Sequence, residues 1–203
     1  MDREAKLREL EQLRSNVKKL EAELAQESGH WPPPKRSYTA YQVLAGFVLG
    51  MVGAAGSLLF NVVGSLIVGQ HPLQLIRVYL TFPLGEPALH IQTGLTLAIG
   101  CCLYLATGML LGIPFQVVLS RWFGSSSFAQ RWLVVTGLSV AIWLINFYVI
   151  LSWMEPLLFH GRWIVNEIPW WVAALTHLVF GWTMLLVQPL GAYVPYRSEL
   201  EAS

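Results

Sequence analysis

The chain has 203 residues, of which 55% are hydrophobic and 12% charged, with nine tryptophans and a formal net charge of +1. That balance excludes an ordinary soluble globular domain, and so sparse a set of cations gives no footprint for nucleic acid. The near-neutral total hides a segregation: eight of the 13 Lys and Arg residues and seven of the 12 acidic ones fall in the first 36 positions.

Residues 1–30 read as a charged helix. Leu10, Leu13, Val17, Leu20 and Leu24 recur at alternating spacings of three and four, an a/d seam about two heptads long. A seam this short needs a partner, either its own copy or another subunit; otherwise the helix lies as an amphipathic element on the membrane surface. This charged, periodic start lacks the pattern of a cleavable secretory leader. Trp31-Pro32-Pro33-Pro34 then stops any helix, since proline lacks the donor and restricts its predecessor. Residues 31–39 therefore read as a Pro-rich linker.

A membrane domain is expected over 40–194, followed by a polar tail at 195–203. Its first span, 41–69, runs 29 residues without a charge, long enough to cross a bilayer as a helix. Gly53, Ser57, Asn61, Ser65 and Gly69 make one small-residue face, beside Gly46, Gly50 and Ala54. Such faces let helices approach closely in lipid. Residues 72–83 are apolar but too short to cross and carry Arg77, so an interfacial elbow fits. The second span is expected over 88–119, with Gly94, Ala98, Cys102 and Ala106 on one face and Gly100, Tyr104, Gly108 and Gly112 on another. A polar turn, a third span over 132–153, a second elbow over 156–167 and a fourth span over 169–190 complete the domain. Cys101 and Cys102 are adjacent in an apolar run and read as packing residues.

The fold class is thus all-α: a polytopic membrane protein with four transmembrane helices in a bundle and an N-terminal cytoplasmic amphipathic or coiled-coil helix. With the N-terminus inside, eleven Lys and Arg residues lie on the inner side and only Arg77 and Arg162 outside, the positive-inside pattern. Both termini are then cytoplasmic, in a membrane such as the bacterial cytoplasmic membrane. The halves also echo one another: Asn61 to Arg77 and Asn146 to Arg162 are both 16 residues apart, as in a duplicated helical hairpin.

Depth along the spans singles out the candidate site. Asn61, Thr96, Asn146 and His177 each fall about seven or eight residues from the outer end of their span, roughly 10–12 Å deep at ~1.5 Å per residue. Above them an outer ring is expected from His71, Arg77, Glu86, His90, Glu155, His160, Arg162 and Glu167. Polar groups inside a span face the bundle interior, which suggests a polar funnel. The plainer alternative is that Asn and His only tie neighbouring helices, at about 1 kcal/mol each. No metal-ligand spacing, HExxH, phosphate loop or nucleophile elbow occurs, and no cofactor or catalytic residue is assigned. A two-histidine haem is disfavoured by the unequal depths of His177 and His90. The leading function is non-enzymatic: an accessory or scaffolding subunit of a membrane complex, meeting lipid, a membrane-protein partner or its own copy. The alternatives are an electron-transfer or carrier subunit holding a quinone, haem or small solute, and a lipid-directed membrane enzyme.

Overall fold

The computed structural model describes residues 3–28, 35–159 and 161–191; the proline run at 31–34, His160 and the tail at 195–203 lie outside them. Two compact units result, Met1–Ala40 and Tyr41–Ser203. In the first, helix α1 (Arg3–Ser28) is 26 residues long. Its Leu10, Leu13, Val17 and Leu20 are all exposed, one apolar stripe along a charged helix.

The second unit begins within α2 (Lys35–Ile67), whose helix already covers the last part of the expected linker. Then come α3 (Gln74–Leu84), a 3-10 turn (Glu86–His90), α4 (Leu95–Trp122) and α5 (Phe128–Leu144). A π-helical segment (Ile145–Leu151) carries α5 into α6 (Ser152–Phe159). Two further helices, α7 (Trp163–Glu167) and α8 (Trp170–Val187), precede a closing 3-10 turn (Gln188–Gly191). Among the described residues all elements are helical, and four helical stretches can cross a membrane: Thr39–Ile67, Leu95–Trp122, Phe128–Leu158 and Trp170–Gly191. The shortest has 22 residues, about 33 Å of helix, enough for a ~30 Å hydrocarbon layer. A third or less of each is buried inside the protein. The outward faces carry Leu44, Leu59, Ile67, Leu95, Leu110, Leu133 and Leu186, the inverse of a soluble bundle and the surface that lipid requires. This is a helical membrane protein.

Several boundaries differ from those read off the hydropathy pattern. The second membrane helix starts at Leu95, not Ala88, because residues 86–90 form a separate turn behind Pro87 and Gly94 caps α4 at φ +107°, a left-handed conformation open to glycine. The third starts at Phe128, where Ser127 and Gln130 form a reciprocal capping box. It continues through the π-helical segment and α6, so the second elbow is reduced to α7 and its flanks. Pro114 sits within α4 without interrupting it.

Helices α2 and α4 meet backbone to backbone. Gly46, Gly50 and Ala54 on one face Gly108 and Gly112 on the other, and a Cβ added at Gly112 would overlap Gly46 O and Gly50 Cα. Small residues at i and i+4 permit this approach, which maximises dispersion contact and brings Cα–H groups onto carbonyl oxygens. Beside the crossing, Leu49, Phe115, Leu119, Val135, Phe180 and Met184 form the main core, with Phe115 edge-on to Phe180 at 5.4 Å. A second cluster, Ile76, Leu80, Ala88 and Leu97, seats α3 against the start of α4.

The crossing gives a direct test. Gly112→Leu places a side chain against fixed backbone and should cost at least the ~1–3 kcal/mol of core overpacking, read as a lower unfolding temperature in mild detergent. Gly137→Ala, whose Cβ meets open space, serves as the control and should leave that temperature unchanged or slightly raised. Equal unfolding of Gly112→Leu and the wild type would mean that the helices do not cross there.

Candidate functional site

The elbows are built from the very residues expected to ring a funnel. Arg77, 6% exposed, donates from Nε to Ile91 O at 2.5 Å, from Nη2 to Gln92 Oε1 at 2.6 Å and from Nη1 to Gln74 Oε1 at 3.4 Å. All its partners are amide oxygens, so it staples α3 to the strand of chain entering α4. His71 joins the same staple, with Nε2 3.0 Å from Gln92 O and Nδ1 accepting from Leu73 N at 3.1 Å. Glu155 is fully buried; its carboxyl group accepts from Ile164 N at 3.2 Å and meets Thr81 Oγ1 at 3.2 Å, which ties α6, α7 and α3 together. Glu86, His90, Arg162 and Glu167 are exposed. None of these groups lines the cavity described next.

The inner polar groups divide. Asn61 Nδ2 donates to Ser57 O at 2.8 Å and to Thr176 Oγ1 at 2.9 Å, bridging α2 and α8. Asn146, at the start of the π-helical segment, meets His177 on α8, Nδ2 to Nε2 at 3.4 Å. His177 Nδ1 lies 2.8 Å from Ala173 O. A carbonyl only accepts, so the ring proton sits on Nδ1, and Nε2 takes the Asn146 hydrogen. Thr96 is in the first turn of α4 and stands apart, because the helix begins at Leu95, seven residues after the Ala88 start expected from hydropathy.

Between α2, α3, α4, the π-helical segment, α7 and α8 lies a cavity of about 470 Å³, within the ~300–1,000 Å³ usual for small-molecule sites. Its walls are mainly apolar, among them Leu75, Phe82, Leu111, Phe147, Ile150 and Phe180. The polar lining is Ser57, Tyr79, Tyr104, Thr107, Asn146, Thr176 and His177. Tyr104 Oη is 2.8 Å from Ser57 Oγ, and Tyr79 Oη is 2.6 Å from Thr107 Oγ1; the two rings pack edge to face at 5.7 Å. Pro83, Leu103 and Thr107 are the exposed members of the lining. Two of them lie near the middle of α4, so the mouth opens sideways at membrane depth.

The tyrosines went unassigned in the sequence reading. Tyr104 was visible there as a phenol in the stripe Gly100, Gly108, Gly112, bulk and a polar tip where only small residues were needed. Tyr79 carried no such signal, since its position depends on how α3 docks. A second polar group lies away from the cavity, around Arg131, Gln188 and Gln116. There Arg131 Nη2 donates to Gln188 Oε1, Gln188 Nε2 to Ser120 Oγ at 3.4 Å, and Gln116 Nε2 to Gly191 O at 3.1 Å.

No protein-family model, no curated protein and no solved structure matches this chain. The functional reading therefore rests on the site alone.

If Glu155 acts as a structural tie, Glu155→Ala, which orphans the Ile164 N–H, should destabilise the protein by about 1–3 kcal/mol. Glu155→Gln keeps an acceptor and should lose less than half as much in thermal unfolding. Equal losses would show that a hydrogen-bond acceptor is not what the position supplies.

Proposed function

We propose that this protein holds a largely apolar molecule, taken from the bilayer, in the cavity between α3, α4, the π-helical segment and α8. The observation that carries the reading is the composition and opening of that cavity. It is walled by aliphatic and aromatic side chains, carries a few paired polar groups, and opens through Leu103 and Thr107 at mid-span. Ligand sites have this character, apolar walls with a few placed polar groups. The π-helical segment supports it, because i→i+5 turns within helices occur frequently at functional sites. Of the alternatives in the sequence, the carrier or electron-transfer subunit comes nearest. Among the described residues no group of three metal-ligating side chains converges, and the cavity offers a single histidine, so a lipid-like organic ligand suits it better than a haem held by two. The protein purified in mild detergent should retain an apolar small molecule detectable by mass spectrometry of its organic extract. Ile150→Trp, which fills the cavity from the π-helical segment, should lower that retention at least tenfold while leaving the protein folded. Retention unchanged by this variant would refute the cavity as the site.

A second reading, a subunit of a larger membrane assembly, is favoured by one feature of the first unit. The stripe Leu10, Leu13, Val17 and Leu20 on α1 is exposed along its length, with Val at an a position and Leu at d, the pattern of two-stranded coiled coils. Leu13→Glu with Leu20→Glu should abolish crosslinking of α1 to its partner or to a second copy and leave membrane insertion intact. Unchanged crosslinking would leave α1 a solvated helix.

A further inference from the structure

The polar groups of the cavity can be counted hydrogen by hydrogen. Ser57 Oγ donates to Ala54 O at 3.0 Å, and Thr107 Oγ1 donates to Leu103 O at 3.0 Å. Thr176 Oγ1 donates to Val172 O at 2.8 Å. These are bonds back to the preceding turn of the same helix, the usual resort of Ser and Thr in apolar helices. Each hydroxyl has one hydrogen, so each oxygen is then an acceptor. In that arrangement Tyr104 donates to Ser57 across 2.8 Å, and the Tyr79 hydrogen goes to Thr107 Oγ1 at 2.6 Å or to Leu103 O at 3.5 Å. Both phenols have thereby committed their only hydrogen and present lone pairs alone. His177 has its proton on Nδ1 against Ala173 O, and its Nε2 lone pair faces Asn146 Nδ2. Asn146 keeps Oδ1 and one amide hydrogen without a partner among the described residues.

What remains unpaired is thus mostly acceptor: Tyr79 Oη, Tyr104 Oη and Asn146 Oδ1, against a single amide hydrogen. Resting on the cavity reading above, we infer that the cavity selects an apolar molecule bearing a hydroxyl group, whose hydrogen is donated to the tyrosine oxygens or to Asn146. A ligand offering only carbonyl or ether oxygens has that one amide hydrogen to accept and leaves Tyr79 Oη, Tyr104 Oη and Asn146 Oδ1 without a donor in an apolar enclosure, where an unpaired polar group is costly. Discrimination of this kind is strong when a site is built to pair a hydroxyl, because the analogue lacking it leaves the site's own groups unmet. A long-chain alcohol and an alkyl hydroquinone share this chemistry, one from ordinary membrane lipid and the other from the redox carrier pool.

Binding of matched pairs to the full chain in mild detergent, followed by native mass spectrometry, tests the inference. One pair is a saturated long-chain alcohol and its methyl ether; the other is an alkyl hydroquinone and the corresponding quinone. The hydroxyl member of at least one pair should bind about fivefold tighter or more than its partner, the equivalent of one net hydrogen bond. The pair with the larger ratio identifies the source. Tyr104→Phe or Tyr79→Phe should bring that ratio towards one without changing the affinity of the ether or quinone, which also reports that the variant is folded. Equal or tighter binding of the ether and the quinone would overturn the hydroxyl preference and leave the cavity reading standing. Failure of all four compounds to bind would overturn both.

Discussion

The packing of the membrane domain starts from the contact between α2 and α4, where Gly46, Gly50 and Ala54 meet Gly108 and Gly112 with nothing larger than the Ala54 methyl between the backbones. In lipid there is no hydrophobic gain from bringing two apolar helices together, so association needs close packing and polar contacts. The glycines supply the first. Beyond Gly108 towards the elbow end, the residues on α4 become Tyr104 and Cys101, and Ile76 and Leu80 of α3 pack beside Gly100. The cavity begins beside the crossing, since Ala54 and Gly108, its last members, line it.

The polar side chains divide into tasks along the same axis. At the elbow end Arg77, His71 and Glu155 are used up in tying short helices to one another, which accounts for three ionisable groups without any ligand. Asn61 and Thr176 tie α2 to α8. Among the described residues, spare hydrogen-bonding capacity remains in the cavity wall on Tyr79, Tyr104 and Asn146, and away from it on Gln116 Oε1, Arg131 Nε, Ser139 Oγ and Trp143 Nε1. With these groups tied inward, the four membrane-crossing stretches present side chains such as Leu44, Leu59, Leu110, Leu133 and Leu186 outward.

Four membrane-crossing helices were legible in the chain as uncharged apolar runs, and the glycine faces of the first two could be read as close-approach surfaces. The site was harder to read for identifiable reasons. Depth was counted from helix ends placed by hydropathy, and Gly94 in a left-handed conformation delays α4 to Leu95, which removes Thr96 from the layer. The Ser127-x-x-Gln130 capping box is a start signal for α5, but it lies inside a stretch whose polar composition reads as a turn up to Gln130. The π-helical segment alters the turn on which Asn146, Phe147 and Ile150 lie, and a 3.6-residue period cannot report which way they face. Tyr79 and Glu155 acquire their roles only when α3 and α7 dock, contacts between residues 74 positions apart in the case of Thr81 and Glu155. Side-chain type was readable, whereas direction waited on tertiary structure.

The central claim is that the space beside the glycine crossing is a ligand site reached from the bilayer. Photo-crosslinking with a long-chain alcohol carrying a diazirine near its hydroxyl end, followed by peptide mapping, tests this most directly. Labels concentrated on Tyr79–Pro83, Leu103–Leu111 and Asn146–Leu151, and competed away by unlabelled alcohol, are the predicted result. Uniform labelling of lipid-facing residues such as Leu59, Val63, Leu133 and Leu186, with no competition, would contradict it.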